Sequence, residues 1–332
     1  MAENIRVGAC LSLTGRYARF GTQAARGLAA WRELDGKAEL VIEDDESSPR
    51  QLERVLPDVA GQCDVLLGPY STQLMRTAGQ IAADAGLLLW NHGGSGDDVE
   101  GAHPGHIISV LTPASRYAEP FVRRMADDQD RARLWITHGR GAFGRQVAAG
   151  AQAAAMRAGI AASQAEPGEL PRSGERWGLL CAGTFEDDVE TLRRARSLRR
   201  PPEVICSVAA GVREFGEEIG DAEGIFGMGQ WFPGVIGSPD LGPSEASFLA
   251  AWSAVSPGVP DYPAVQAAAA AVLAVHCAQA AGGTRREMLW QVATSVNART
   301  LFGDFRVSPD GVQVGHQSVL VRWTERGLAL AP

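Results

Sequence analysis

Lysine is almost absent from this chain. Of 31 basic side chains in 332 residues, Lys37 is the one lysine and the other 30 are arginine, a bias we read as GC-rich coding rather than function. Acidic residues outnumber basic ones 39 to 31, for a net charge of -8, which argues against the basic domain or stripe of a nucleic-acid binder. No apolar run reaches about 18 residues without interruption, so a membrane-spanning helix is not expected. The five cysteines (Cys10, Cys63, Cys181, Cys206, Cys277) are odd in number, far apart and without a CxxC pair. That fits neither a disulfide framework nor a zinc pattern, and it leans towards reduced thiols. No basic n-region or apolar leader core precedes Ile5. The expectation is therefore a cytoplasmic protein, or an extracytoplasmic one (periplasm or cell surface) whose leader was removed.

What is present is globular: 45% of residues are hydrophobic, far more than a disordered chain carries. Short apolar runs at 5–13, 38–42, 64–67, 87–90, 107–110, 134–137, 178–181, 204–208 and 225–228 read as strands. Between them, helix-like stretches fall at 22–34, 49–60, 73–85, 114–127, 145–158 and 186–198. This alternation predicts βαβ units and a parallel sheet, and the nearly continuous apolar strands predict helices on both faces. The fold class is α/β, doubly wound. The pattern restarts at Leu134, which suggests two similar lobes. After Trp231 the character changes, with helices near 244–255, 263–281 and 285–295. Two strand-like runs, 302–307 and 318–323, flank a turn at Ser308–Gly311.

Motifs for chemistry are sparse. Gly139-Arg140-Gly141-Ala142-Phe143-Gly144 fits GxGxxG between a strand and a helix, the local context of a dinucleotide site. It belongs to the sixth strand rather than the first, and the bland reading is a tight turn that opens a helix. The histidines are scattered without a partner at metal-ligand spacing. Gly93-Gly94-Ser95-Gly96 lacks nucleophile-elbow spacing, and Glu43-Asp44-Asp45-Glu46 reads as a solvated strand edge or a helix N-terminal charge rather than a catalytic pair. Neither a metal nor a cofactor is expected.

Two loops at the carboxyl ends of predicted strands carry more information, because ligands of open α/β sheets bind there. Gly68-Pro69-Tyr70-Ser71-Thr72 and Asn91-His92-Gly93-Gly94-Ser95 both offer hydroxyls and expected free backbone N–H groups, suited to a carboxylate. The alternative is plain helix caps and turn glycines.

Residues Arg6–Gly8 through Leu13-Thr14-Gly15-Arg16-Tyr17-Ala18-Arg19-Phe20-Gly21 resemble the opening of the branched-chain amino acid (Leu/Ile/Val) substrate-binding proteins of ABC transporters. The resemblance continues through 43–49, 64–71, 85–89, Phe143-Gly144, 303–307 and Asp310-Gly311. It implies a type I periplasmic-binding-protein fold of two Rossmann-like lobes joined by a three-strand hinge, with ligand held between them by hinge closure. The lobes would be 1–114 with 232–307, and 115–231 with 308–332. Carried over by position, carboxylate-holding groups fall at Ser71, Thr72, Gly93, Gly94 and Ser95, and a second-lobe aromatic at Phe143. Further cleft positions fall at Thr184 or Phe185, and a hinge aromatic near Tyr262. Phe20, Tyr70, Tyr117 and Trp231 are further candidate walls. The family's acids for an α-ammonium align with Ala209–Ala210 and with 115–117, where Arg116 stands instead. Burying an ammonium without a carboxylate is costly, so a carboxylate with an apolar or aromatic body fits better than a standard amino acid.

The function expected is a non-enzymatic solute-binding protein that delivers a small carboxylate-bearing ligand, amino acid-like or an aromatic or aliphatic acid, to an ABC permease. The alternative is a cytoplasmic ligand-sensing regulator of the amide-sensor type, which holds a protein partner until ligand arrives. An NAD-dependent enzyme using the 139–144 loop is a third.

Overall fold

The computed structural model describes residues 4–127, 132–171 and 176–332; the expected start of the first lobe at residues 1–3 lies outside them. The chain divides into two units. One comprises residues 1–111 and 233–316, the other 112–232 and 317–332, so the backbone passes between them three times.

In the first unit the order is β1 (Arg6–Leu11), α1 (Ala18–Asp35), β2 (Glu39–Asp44), α2 (Pro49–Gln62), β3 (Val65–Leu67), α3 (Thr72–Asp84), β4 (Leu89–Asn91), α4 (Val99–Ala102) and β5 (Ile107–Ser109). The five strands form an all-parallel sheet in the order β2-β1-β3-β4-β5. In the second unit a 3-10 turn (Ala114–Arg116) precedes α5 (Glu119–Ala126), β6 (Arg133–His138), α6 (Ala142–Arg157), β7 (Ala162–Gln164), β8 (Trp177–Ala182), α7 (Phe185–Arg196), β9 (Val204–Ser207), α8 (Glu214–Ile219) and β10 (Phe226–Gly229). The chain then returns to the first unit with α9 (Glu245–Val255), α10 (Tyr262–Ala281), α11 (Arg286–Ser295) and the hairpin β11 (Ala298–Thr300)–β12 (Gly303–Phe305). It ends with β13 (Val319–Thr324) and β14 (Gly327–Leu330), which extend the second sheet antiparallel to give β14-β13-β10-β9-β8-β6-β7.

All nine strands expected up to residue 228 are present. One expected helix is not continuous: 114–127 breaks into the 3-10 turn and α5, which starts afresh with Pro120 in its first turn, where a missing N–H costs nothing. Residues 308–316, expected in the second lobe, lie in the first unit. The turn after β12 folds back on itself there: Val307 bridges Gln313, Gly311 O accepts the Ser109 N–H at 3.0 Å, and Gln313 Nε2 donates to Val110 O at 3.1 Å.

Helices cover both faces of the first sheet. Cys10, Leu66 and Leu89 pack with Leu52, Leu56 and Val59 of α2 and Leu74, Met75 and Ala78 of α3. The alternate residues, Leu67 and Trp90 among them, occupy the opposite face, where α10 lies over β3 and β4. By length and hydropathy (1.5) α10 could cross a membrane, contrary to the sequence expectation, yet 78% of its apolar window is buried inside the unit. Its alanines explain how. A Cβ on Gly27 of α1 would fall 2.1 Å from Ala264 O, so α1 and α10 come close at a point where only glycine fits. In the second unit the last glycine of the GxGxxG motif does a similar task, since a Cβ on Gly144 would lie 2.2 Å from Ala182 O. Gly144 is what lets α6 rest against the end of β8.

Candidate functional site

The first unit joins the two loops singled out in the sequence. After β3 the chain turns through Tyr70 into α3, and after β4 it turns through 92–96. The Ser71 N–H donates to Gly93 O at 3.0 Å, and the Gly96 N–H donates to Thr72 Oγ1 at 3.1 Å. A Cβ on Gly93 would lie 2.7 Å from Tyr70 Cα, and one on Gly94 2.3 Å from Met75 Cγ. Both positions therefore exclude a side chain.

The glycine N–H groups expected to be free are in fact used. Asn91 Oδ1 accepts from Gly93 N at 3.1 Å and Gly94 N at 2.8 Å, an Asx turn. What remains for a ligand is the hydroxyl set. Ser71 Oγ caps α3 by accepting the Leu74 N–H at 3.3 Å, and Thr72 Oγ1 accepts from Gly96. Each oxygen thus serves as an acceptor and keeps its own proton to donate. Ser95, 7% exposed, makes no hydrogen bond with another described residue. Ser71 holds this place at φ 99°, a conformation that costs about 1–3 kcal/mol for a residue with a side chain and clusters at ligand clamps.

Beside the hydroxyls stands an aromatic group. Phe20 stacks on Tyr70 with centroids 4.5 Å apart and rings 8° from parallel. Tyr70 and Tyr262 share a 3.1 Å hydrogen bond between their hydroxyls. Tyr262 was expected at a hinge, yet it occupies the first turn of α10 inside the first unit. Burial pushes its phenol up to about 12, against the pull of the Tyr70 hydrogen bond.

A buried polar relay that sequence reasoning missed lies behind the loop. Asn91 Nδ2 donates to Gly94 O and to Ser109 Oγ, both at 2.7 Å, and Ser109 Oγ is bonded to the Glu100 carboxyl. Burial pushes Glu100 up to about 7; Ser109 opposes this and Asp97 and Asp98 add to it. His92 is fully buried, which drives its imidazole down to about 4 despite the Gly68 backbone, so it is neutral at physiological pH. The Asn91-His92-Gly93-Gly94 spelling could have announced the Asx turn. Nothing local marks Glu100 as buried.

The acidic run 43–46 is only in part the solvated edge expected of it: Glu43 and Glu46 are exposed, but the two aspartates between them are engaged. Asp44 accepts from the Leu13 and Thr14 N–H groups and the Thr14 hydroxyl, and Asp45, with no exposure, accepts from Ser12 Oγ at 2.6 Å and Ser47 N at 2.8 Å. The pair ties the β1–α1 loop to the end of β2.

In the second unit Tyr117 packs edge-on against Phe143 at 5.5 Å. Tyr117 belongs to the core and Phe143 is partly exposed beside it. Thr184 and Asp187 form a capping box at the start of α7, so the Thr184 oxygen is committed to the Asp187 N–H at 3.2 Å. Phe185, 8% exposed, packs on Phe215. Trp231 is 3% exposed. Arg116 pairs with Glu119 at 3.7 Å. No carboxylate stands at Ala209–Ala210, and the neighbouring Asp188 does not replace it: buried, it accepts from Gly183 N at 2.6 Å, Ser207 Oγ at 2.8 Å and Ala209 N at 3.2 Å. Burial raises it to about 6 against those three hydrogen bonds. It clamps the loops that follow β8 and β9.

Two Rossmann-like units, interleaved in sequence and carrying polar loops at the carboxyl ends of their parallel strands, define a two-lobed binding protein of type I periplasmic architecture. The chain belongs to the periplasmic binding protein family, whose model matches residues 4–175; that family and the structural neighbours are binding proteins, not enzymes. It is similar to a leucine-binding protein of Thermotoga maritima (TM-score 0.84, 13% identity, covering 99% of this chain and 98% of that one). It is also similar to an ABC transporter substrate-binding protein of Desulfitobacterium hafniense in complex with leucine (TM-score 0.82, 18% identity, 99% and 100%). A third neighbour is a Rhodopseudomonas palustris ABC-transporter solute-binding protein in complex with benzoate (TM-score 0.77, 15% identity, 98% and 95%). None of the curated proteins matches the sequence.

Proposed function

We propose that this protein is a solute-binding protein that captures a small carboxylate, its anionic end held by Ser71, Thr72 and Ser95 and its apolar body against Phe20, Tyr70 and Tyr262. The observation that carries this reading is the hydrogen bonding of the loop hydroxyls. Two accept backbone N–H groups and the third has no partner among the described residues, so each keeps a proton to donate to an anion near the N-terminus of α3. The aromatic trio suits a flat or branched apolar body. Asp188 is spent on three internal donors and Arg116 is paired, which favours an acid without an α-ammonium over a plain amino acid. The family resemblance implies that the second unit closes on the ligand and that the loaded protein serves an ABC permease outside the cytoplasm.

The test is a calorimetric and thermal-shift panel of leucine, isoleucine, benzoate, 4-hydroxybenzoate, aliphatic acids, aliphatic amides and NAD. A ligand at 100 times its Kd should add about 2.7 kcal/mol of stability. Binding of acids without an amino group supports the proposal. Binding of leucine alone would refute the argument from the missing acid, and binding confined to amides would replace transport with ligand sensing.

A further inference from the structure

We propose that carboxylate capture at the 91–96 loop is coupled to uptake of one proton at Glu100. This rests on the carboxylate reading above and adds a second bound species, the proton, to it.

Glu100 is 5% exposed, and among the described residues no cation pairs with it. Its side-chain partner is Ser109 Oγ. Ser109 Oγ also accepts from Asn91 Nδ2, and the same Asn91 amide holds the Gly93 N–H, the Gly94 N–H and Gly94 O. Three hydrogen bonds in series therefore link this carboxyl group to the Gly94 backbone that precedes Ser95. The charged surroundings favour protonation. Asp97 and Asp98 precede Glu100 and have its sign. Arg76 of α3 is committed to Asp98, with Nη2 2.6 Å from Oδ2. His103, just after α4, has its ring beside Gly79 of α3. Strand β5 contributes Ser109 and no charged side chain. Asp310, beside the Gly311 carbonyl that accepts the Ser109 N–H, is exposed.

In that setting the group sits near half-protonation at neutral pH. A second negative charge brought to the loop must raise its proton affinity, because like charges in a poorly solvated interior repel strongly. The step balances simply. One proton leaves the solvent buffer and converts the Glu100 carboxylate to the acid. The Ser109–Glu100 hydrogen bond then reverses, with Ser109 Oγ accepting from both Glu100 and Asn91 on its two lone pairs. The bound state holds more protons than the free state, so affinity strengthens as pH falls through the neutral range. For a rise of one unit in the Glu100 pKa, affinity improves about tenfold between its alkaline and acid limits, and uptake peaks near half a proton.

The experiment is calorimetric titration of benzoate into the full chain near pH 7.5, in phosphate and in Tris, whose ionisation heats differ. Wild type should show buffer-dependent heats that report proton uptake. Glu100→Gln, a neutral replacement of the same shape, should bind benzoate with buffer-independent heat and a Kd constant across this pH range. Benzoate binding without proton uptake in wild type would overturn the inference and leave the carboxylate reading intact. The same uptake in Glu100→Gln would overturn it by placing the proton elsewhere. Failure of benzoate and every other acid in the panel to bind would remove both. Should Glu100→Gln not fold, infrared titration of ligand-free wild type decides: a buried carboxylic-acid carbonyl band that disappears around neutral pH is expected, and its absence sinks the idea.

Discussion

The Tyr70 hydroxyl lies 3.1 Å from the Tyr262 hydroxyl across 192 residues of sequence, and it joins the turn after β3 to the first turn of α10. Tyr70 also carries the stacked ring of Phe20. The three aromatics therefore reach one place from three separate segments. Tyr70→Phe and Tyr262→Phe should each cost roughly 1 kcal/mol of unfolding free energy in urea. The double mutant should cost clearly less than their sum, because the two changes delete one bond. Full additivity would show that the hydroxyls do not interact.

Replacing Ser95 and Thr72 together by alanine should weaken carboxylate binding by roughly 2–4 kcal/mol, the value of two charge-assisted hydrogen bonds. Unchanged affinity by calorimetry would take these loops out of the site.

Gly144 is a packing residue rather than a phosphate contact. Gly144→Ala should destabilise the protein by roughly 1–3 kcal/mol through its clash with Ala182 O. Gly141→Ala, in the same motif but with nothing within 4 Å of its Cβ, should cost under about 1 kcal/mol. A denaturation experiment in which both behave alike would contradict this division.

Asp188 cannot be replaced by its amide without loss. The Gly183 N–H uses one oxygen while Ser207 and the Ala209 N–H use the other, so an Asn amide nitrogen would face at least one N–H or O–H donor. Asp188→Asn should cost about 1–3 kcal/mol, seen as a lower midpoint in urea.

Glu100 has a raised carboxyl pKa, so its sign is opposite to that of a salt-bridged acid. The native state holds its proton from the ordinary value, 4.5, up to about 7. Its stabilising contribution is complete below pH 4.5 and is lost as pH rises through 7. Glu100→Gln should therefore gain stability relative to wild type between pH 5 and pH 8, by up to about 3 kcal/mol. A constant difference across that range would contradict a buried, raised carboxyl.

Much of this architecture could be read directly. Apolar runs such as 134–137 and 204–208 are buried on both faces, so their periodicity carried the strands, and the Ser71–Thr72 and 93–95 loops stood out through their small polar residues. The polar supports were not legible. Asp188 reads as one acid in a run of three in α7, and Glu100 as an ordinary surface acid, because their burial depends on β9 and β5 arriving beside them. The break before α5 was legible locally, since Pro120 belongs in a helix's first turn; the return of 308–316 to the first unit was hidden, because Ser109 and Val110, distant in sequence, decide it. Tyr262, placed at a hinge by alignment, turned out to answer to Tyr70.

The placement of α10 also has a consequence for how the protein is made. The strands bearing the apolar face of Leu67 and Trp90 are in place once β4 ends at residue 91, and the sheet is complete with β5 at residue 109, but α10, which lies over β3 and β4, begins at residue 262. A chain emerging from the ribosome must carry that apolar face open while the whole interior of the second unit is synthesised. Nascent chains in that condition are the ones that aggregate or engage holding chaperones. The first unit therefore cannot finish folding until the chain past residue 262 has been made.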